Sequence, residues 1–212
     1  EWLLAIDKPP GMVVHPTYKN WSGTLLNALL WRVRGREAVV PSIITRLDKQ
    51  TSGLVLVALS AGIHAQVQRD ATAGLVKKEY LAVVEGVPSP DAGTIALPLA
   101  RSPEDRRRVV VTDSGQPSET RYEVLSTTGG QSVVRCELVT GRTHQIRVHL
   151  AARGWPIVGD EVYGKSHPLL NRQGLHAWRL SLTHPVTRQL LEIEAAVPLD
   201  LQQLMSDQNF TL

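Results

Sequence analysis

Residues 45–57 read TRLDKQTSGLVLV, and the fold turns on how this stretch is taken. One acid, Asp48, stands between Arg46 and Lys49, and a Thr-Ser-Gly turn follows. The run from Gly53 to Leu59 is then continuously apolar and rich in Val and Leu. That length and composition suit a strand buried on both faces. Asp48 would sit at the mouth of a core strand. There it is either a turn-former, since Asp bonds readily to nearby backbone, or a rigidly held nucleophile or base whose charged form Arg46 and Lys49 favour.

Upstream, WLLAIDKPPGMVVHP (2–16) reads as a short strand, a Pro-Pro-Gly turn and a second extended piece. GTLLNALLWRV (23–33) predicts a helix with Leu25, Leu29 and Trp31 facing inward. Downstream, Ser60 can cap a helix running to about Ala71, with Ile63 and Val67 on its inner face. A strand is expected from Tyr80 to Val87, then loop from 88 to 108 ending in RSPEDRRRV. TRYEVLSTTGGQSVVRCELV (120–139) is an antiparallel hairpin turning at Thr-Gly-Gly, with Val134, Cys136 and Leu138 alternating against Arg135 and Glu137. GRTHQIRVHLAARG (141–154) predicts a helix started by Thr143 or Gly141 and ended by Gly154. LHAWRLSLTHP and QLLEIEA form a last strand pair. The sum is an α/β fold of the α+β type, a mixed and mostly antiparallel sheet flanked by helices, over one domain of residues 1–212 whose halves would meet at a cleft.

Composition narrows the chemistry. The chain has 212 residues, 42% hydrophobic and 20% charged, as in ordinary globular proteins. No apolar stretch reaches the ~18 residues of a membrane helix. The single cysteine, Cys136, excludes an intrachain disulfide and a cysteine-rich zinc site. The net charge of +3 permits a polyanionic partner without demanding one. His144 and His149 are five apart and would lie on different sides of a helix, so no metal site is expected. PIVGDEVYG (156–164) could be read as a phosphate-cradling loop, but no nucleotide-binding P-loop is expected there.

Two clusters remain. Arg142, His144, Gln145 and Arg147 gather where a helix N-terminus would offer free amides and positive potential, either for an anionic substrate or as a solvated face. Arg106, Arg107 and Arg108, with Arg101, make a basic loop that could touch phosphates or simply face solvent.

These segments, taken together and in order, resemble the RluA family of RNA pseudouridine synthases. DKPPGMVVHP resembles the family's opening strand and turn, RLDKQTSGL its catalytic motif, and KKEYLAVVEG the segment with its active-site tyrosine. GRTHQIRVHLAARGWPIVGDEVYG resembles its longest motif, and LHAWRLSLTHP a late one. The resemblance implies that Asp48 is the essential aspartate, that Arg46 fills the space a flipped base vacates, that Tyr80 lies beside the target base, and that Arg147 pairs with the aspartate. Arg142, Gln145 and Arg106–Arg108 would contact substrate. The family usually has His where this chain has Thr45. It implies a uridine isomerase needing no cofactor or metal, acting as a monomer on structured RNA, ribosomal or transfer, in the bacterial cytoplasm or an organelle. A non-catalytic RNA-binding protein on the same scaffold is the alternative. The chain begins with Glu rather than Met. A native N-terminus, a targeting segment or the small S4 domain of many relatives would lie outside this numbering.

Overall fold

A computed structural model of the chain describes residues 2–36 and 39–210. In chain order the elements are β1 (Leu3–Lys8), α1 (Leu25–Arg32), β2 (Ser42–Ile43), β3 (Ser52–Ala58), α2 (Ala61–Thr72), β4 (Lys77–Glu85), β5 (Ala92–Ala96), β6 (Leu99–Arg101), β7 (Val109–Val111), β8 (Glu119–Thr128), β9 (Gln131–Leu138), α3 (Gln145–Ala152), β10 (Leu175–Thr183), β11 (Leu190–Glu194) and α4 (Leu199–Asp207). This is an α/β fold. The chain divides into two compact units, residues 1–78 with 177–196, and residues 79–176 with 197–212.

In the first unit the strand order is β1-β3-β10, with β2 on β3 and β11 on β10. The ladders of β1 and β2 with β3, and of β10 with β11, are antiparallel. The apolar run read from the sequence is β3, and all seven of its residues are buried. Leu54 and Leu56 pack with Val67 and Val76, and with Leu180, Leu182 and Ala195. Val55 and Val57, on the opposite face, are fully buried as well, so neither face of β3 meets solvent, which is why this strand carries so little polarity.

Helix α2 starts where Ser60 predicted, its hydroxyl accepting from the Ile63 amide. Thr24 and Asn27 form a capping box at the start of α1, and Leu25 and Leu29 face inward. Trp31 does not; it is 68% exposed. Two residues beyond Leu29 is about 200° around a helix with ~3.6 residues per turn, so Trp31 falls on the far side. Its ring instead receives the Arg34 guanidinium at 3.9 Å.

In the second unit the order is β4-β9-β8-β5, antiparallel in the β4–β9, β8–β9 and β5–β8 ladders. The predicted hairpin pairs Thr128 with Gln131, so Gly129 and Gly130 alone make the turn. Both have positive φ, 58° and 80°. That is the conformation a two-residue hairpin of matching twist demands. Val134 and Cys136 are fully buried as expected, but Leu138 is only half-buried and Val133, on the other face, is fully buried too.

The stretch 88–108, expected as loop, holds β5 and β6, and β6 pairs with β7 as a separate hairpin. Leu99 and Val109 anchor that hairpin against Val148 and Tyr163, contacts invisible to local pattern. Helix α3 begins at Gln145, later than 141; neither Thr143 nor Gly141 caps it, and His144 precedes it in left-handed conformation, φ 54°.

Candidate active site

The Asp48 loop is assembled within the first unit. Lys8, at the end of β1, is fully buried. Its ammonium donates to the carbonyls of Pro9 at 2.8 Å, Met12 at 3.1 Å and Lys49 at 3.2 Å. A buried cation is tolerated only when its donors are engaged. Here that requirement pins the Pro-Pro-Gly turn to the residue beside Asp48, and the Gly11 amide donates to the same Lys49 carbonyl at 2.8 Å. The Thr51 amide closes the turn onto the Asp48 carbonyl at 3.1 Å.

Thr45 holds the root of the loop. Its Oγ1 accepts from the Leu56 amide at 2.8 Å, while the amides of Ile44 and Thr45 donate to the Leu56 carbonyl at 2.8 and 3.3 Å. The residue standing where the family pattern has His therefore supplies a short acceptor to the core strand. Gly53, expected in a Thr-Ser-Gly turn, lies instead in β3 opposite Lys8; it has φ 105°, and a Cβ there would lie 2.2 Å from the Ala177 carbonyl oxygen. Only glycine fits at that point. Asp48 itself is half-buried and Arg46 exposed. Burial and the nearby Arg46 charge both hold His15 below its ordinary pKa.

The other expected residues belong to the second unit. Arg147, 6% exposed, makes a bidentate pair with Asp160: Nε to Oδ2 at 2.6 Å and Nη2 to Oδ1 at 2.9 Å. Asp160 is buried as deeply, and its Oδ1 also accepts from the amides of Val162 at 3.0 Å and Tyr163 at 3.3 Å. One carboxylate thus shapes the loop and aims the guanidinium. The Tyr163 hydroxyl accepts from the Val109 amide and meets His144 Nδ1, both at 2.8 Å. The guanidiniums of Arg147 and Arg108 lie 5.0 and 5.6 Å from its ring centre. His144 takes its left-handed backbone where its ring makes that bond. Tyr80 is buried in β4, opposite Cys136 of β9. Burial pushes the Cys136 thiol up to about 12, which removes it as a nucleophile at neutral pH.

Gln145 turns inward. Its Oε1 accepts from Thr140 Oγ1 at 2.7 Å and the Arg142 amide at 2.9 Å, and its Nε2 donates to the Glu119 carbonyl at 2.9 Å and Thr120 Oγ1 at 3.0 Å. What the geometry describes for it is a clasp on the turn before α3. Arg142 is exposed, with Nε donating to the Pro117 carbonyl at 3.3 Å. Arg106, Arg107 and Arg108 lie exposed at the tip of the β6–β7 hairpin. Arg107 is tied to Asp105 at 2.9 and 3.0 Å, and that bond draws the Asp105 carboxyl down to about 2.

Lys8, Asp160 and Tyr163 were not among the residues singled out by sequence. Asp160 and Tyr163 lie in PIVGDEVYG, the stretch weighed above as a phosphate loop. Its first glycine, Gly159, has φ 75°, and a Cβ on it would lie 2.2 Å from the Arg172 carbonyl oxygen.

Comparison with known proteins identifies the family. The family model described as RNA pseudouridylate synthase matches residues 2–152. A ribosomal large subunit pseudouridine synthase D of Nitrosomonas europaea is 43% identical over 96% of this chain and 62% of its own length. An uncharacterized RNA pseudouridine synthase of Chloroflexus aurantiacus is 46% identical over 92% of this chain and 63% of its own. Among solved structures, Human RNA Pseudouridylate Synthase Domain Containing 4 superposes with a TM-score of 0.79 at 26% identity, covering 100% of this chain and 91% of that one. The chain belongs to the RNA pseudouridylate synthase family, and its relatives are consistent with the RluA group. It spans less than two thirds of the length of the two curated relatives named here.

Proposed function

We propose that this chain carries the isomerase activity of an RNA pseudouridine synthase, converting uridines of structured RNA, ribosomal RNA before transfer RNA, to pseudouridine. The observation that carries the reading is the Asp48 loop: a half-buried Asp on a backbone held at the mouth of a buried strand by Lys8, Thr45 and Gly53. Chemistry on a single base needs a group that is ionised and does not move. The reaction breaks the N1–C1′ bond, rotates uracil and joins C5 to C1′. The proton leaving C5 is balanced by one gained at N1, so the product is an isomer and no group donor enters.

In this reading the target nucleotide is first extruded from its stack. Arg46, exposed beside Asp48 in sequence, occupies the vacated place. Asp48 acts as nucleophile or as the base that starts sugar deprotonation. Tyr80 stacks on the uracil, and Arg147, oriented by Asp160, is the cationic group of the site. Ribosomal RNA is favoured because relatives such as the Nitrosomonas protein are named for the large ribosomal subunit. The setting that suits this reading is the bacterial cytoplasm, or an organelle with its own ribosomes.

The test is release of tritium from C5-labelled uridine in a large-subunit ribosomal RNA transcript. Asp48→Asn is nearly isosteric and should abolish release while unfolding and RNA affinity stay near the parent. Turnover within tenfold of the parent would reject Asp48 as the essential group.

A further inference from the structure

The segment between the Pro-Pro-Gly turn and the end of α1 has features that the reaction does not use. Between Asp7 and Glu37 there is no acidic residue, yet Lys8, Lys19, Arg32, Arg34 and Arg36 fall within it. All but Lys8 are exposed. The same segment carries Tyr18 at 82% exposure, Trp21 at 70% and Trp31 at 68%. Large rings left this open in a chain with only ten aromatic residues of the Phe, Trp and Tyr types need a reason.

Their presentation is built. Thr17 and Asn20 exchange backbone bonds at 3.1 and 2.8 Å, and the Asn20 side-chain amide donates to Thr17 Oγ1 at 3.3 Å. Lys19 takes the left-handed conformation at the tip, φ 78°. This tight turn holds Tyr18 on one side of Lys19 and brings Trp21 out directly after it. Farther on, α1 displays Trp31 with Arg34 over its ring. The segment joins the Asp48 loop inside the same unit, through the Gly11 to Lys49 bond and through His15, which feels the charge of Arg46.

We infer that Tyr18, Lys19 and Trp21 form a stacking platform for unpaired nucleotides of the RNA substrate that flank the target uridine, with Trp31 and Arg34 extending it along α1. The inference rests on the RNA reading above. Exposed rings alone would equally suit a protein partner. The absence of any acid across the segment and the interleaved bases decide for a polyanion with unpaired π-faces. Rings bind any base by its face and the cations meet phosphates, so the platform would hold RNA without reading its sequence.

The experiment uses the whole chain and two probes. The first is a fluorescein-labelled single-stranded oligouridylate, titrated by anisotropy at several salt concentrations. The second is the tritiated ribosomal RNA transcript under multiple-turnover conditions. Tyr18→Ala and Trp21→Ala should each weaken oligouridylate binding by about tenfold, the order expected for one stacked base. Trp21→Phe should recover most of that loss, because the face remains. Lys19→Ala should flatten the salt slope by roughly 0.7. On the transcript, the Ala variants should raise KM and leave kcat within twofold. Unchanged oligouridylate affinity in Tyr18→Ala and Trp21→Ala, with parental thermal unfolding, would overturn the platform and return the rings to a protein partner. A kcat loss that Trp21→Phe does not rescue would overturn it too, as a folding defect of the Asp48 loop. Failure of the parent to release tritium would reject the isomerase reading, and the oligouridylate titration would still decide the platform.

Discussion

Replacing Asp160 by Asn should destabilise this protein by about 3 kcal/mol, a cost typical of breaking a buried ion pair from one side. The pair is 6% and 1% exposed in its side chains, so solvent screens it little. Asn keeps one oxygen, enough to accept from the Val162 and Tyr163 amides that Oδ1 now serves. Its NH2 group, however, faces the Nε–H of Arg147 where a carboxylate oxygen accepts at 2.6 Å, so donor meets donor. The retained acceptor keeps the expected cost at the lower end of the ~3–5 kcal/mol range for such changes. For a chain of this size, roughly 2–4 °C of melting temperature accompany each kcal/mol, which predicts a fall of about 6–12 °C. Calorimetry and guanidinium titration of Asp160→Asn, Arg147→Gln and the double variant would complete a cycle, with a coupling of about 2 kcal/mol or more expected for groups in direct contact. A coupling below about 0.5 kcal/mol, the level of exposed pairs, would refute the claim that Asp160 holds Arg147.

On the RNA substrate proposed above, Arg106→Ala and Arg108→Ala at the tip of the β6–β7 hairpin should each flatten the salt dependence of binding by roughly 0.7–0.9. Arg107→Ala should change it less, because Asp105 already engages that guanidinium. Parallel lines in salt titrations of all three would mean a merely solvated loop. His149 is buried with Nδ1 at 3.0 Å from Thr120 Oγ1 and Nε2 at 3.1 Å from the Leu97 carbonyl, and burial lowers its pKa below the usual 6.5. The unfolded chain therefore binds the proton first. Stability should be full above pH 6.5 and decline as acidification carries pH down through the lowered value; urea titrations at several pH values should show a shallower decline in His149→Gln.

Much of the frame is legible in the sequence because the interactions that make it are local. Ser60 starts α2 and two adjacent glycines turn the β8–β9 hairpin, and in both cases the deciding contacts lie within a few residues; β3 was legible from its unbroken apolar composition, although the residues that bury it are distant in sequence. The order of the motifs likewise carried the family assignment. The supports of the site were not legible, because each joins residues that periodicity does not relate. Lys8 reaches the Lys49 carbonyl across 41 positions, and nothing local marks that lysine as buried. Arg147 finds Asp160 across 13 positions, in a loop weighed in the sequence only as a phosphate cradle and set aside. Gln145 looked like a group at the edge of a helix and is instead consumed by Thr140, Glu119 and Thr120. Trp31 failed for a related reason: an apolar residue is drawn inward only if its angular position on the helix meets the core, and Leu25 and Leu29 had already set that face. Sequence alone determined which residues could do chemistry and roughly which elements carry them. Tertiary structure decided which polar groups are spent holding the chain and which face outward, because a buried hydrogen bond requires a partner whose position only the folded chain specifies.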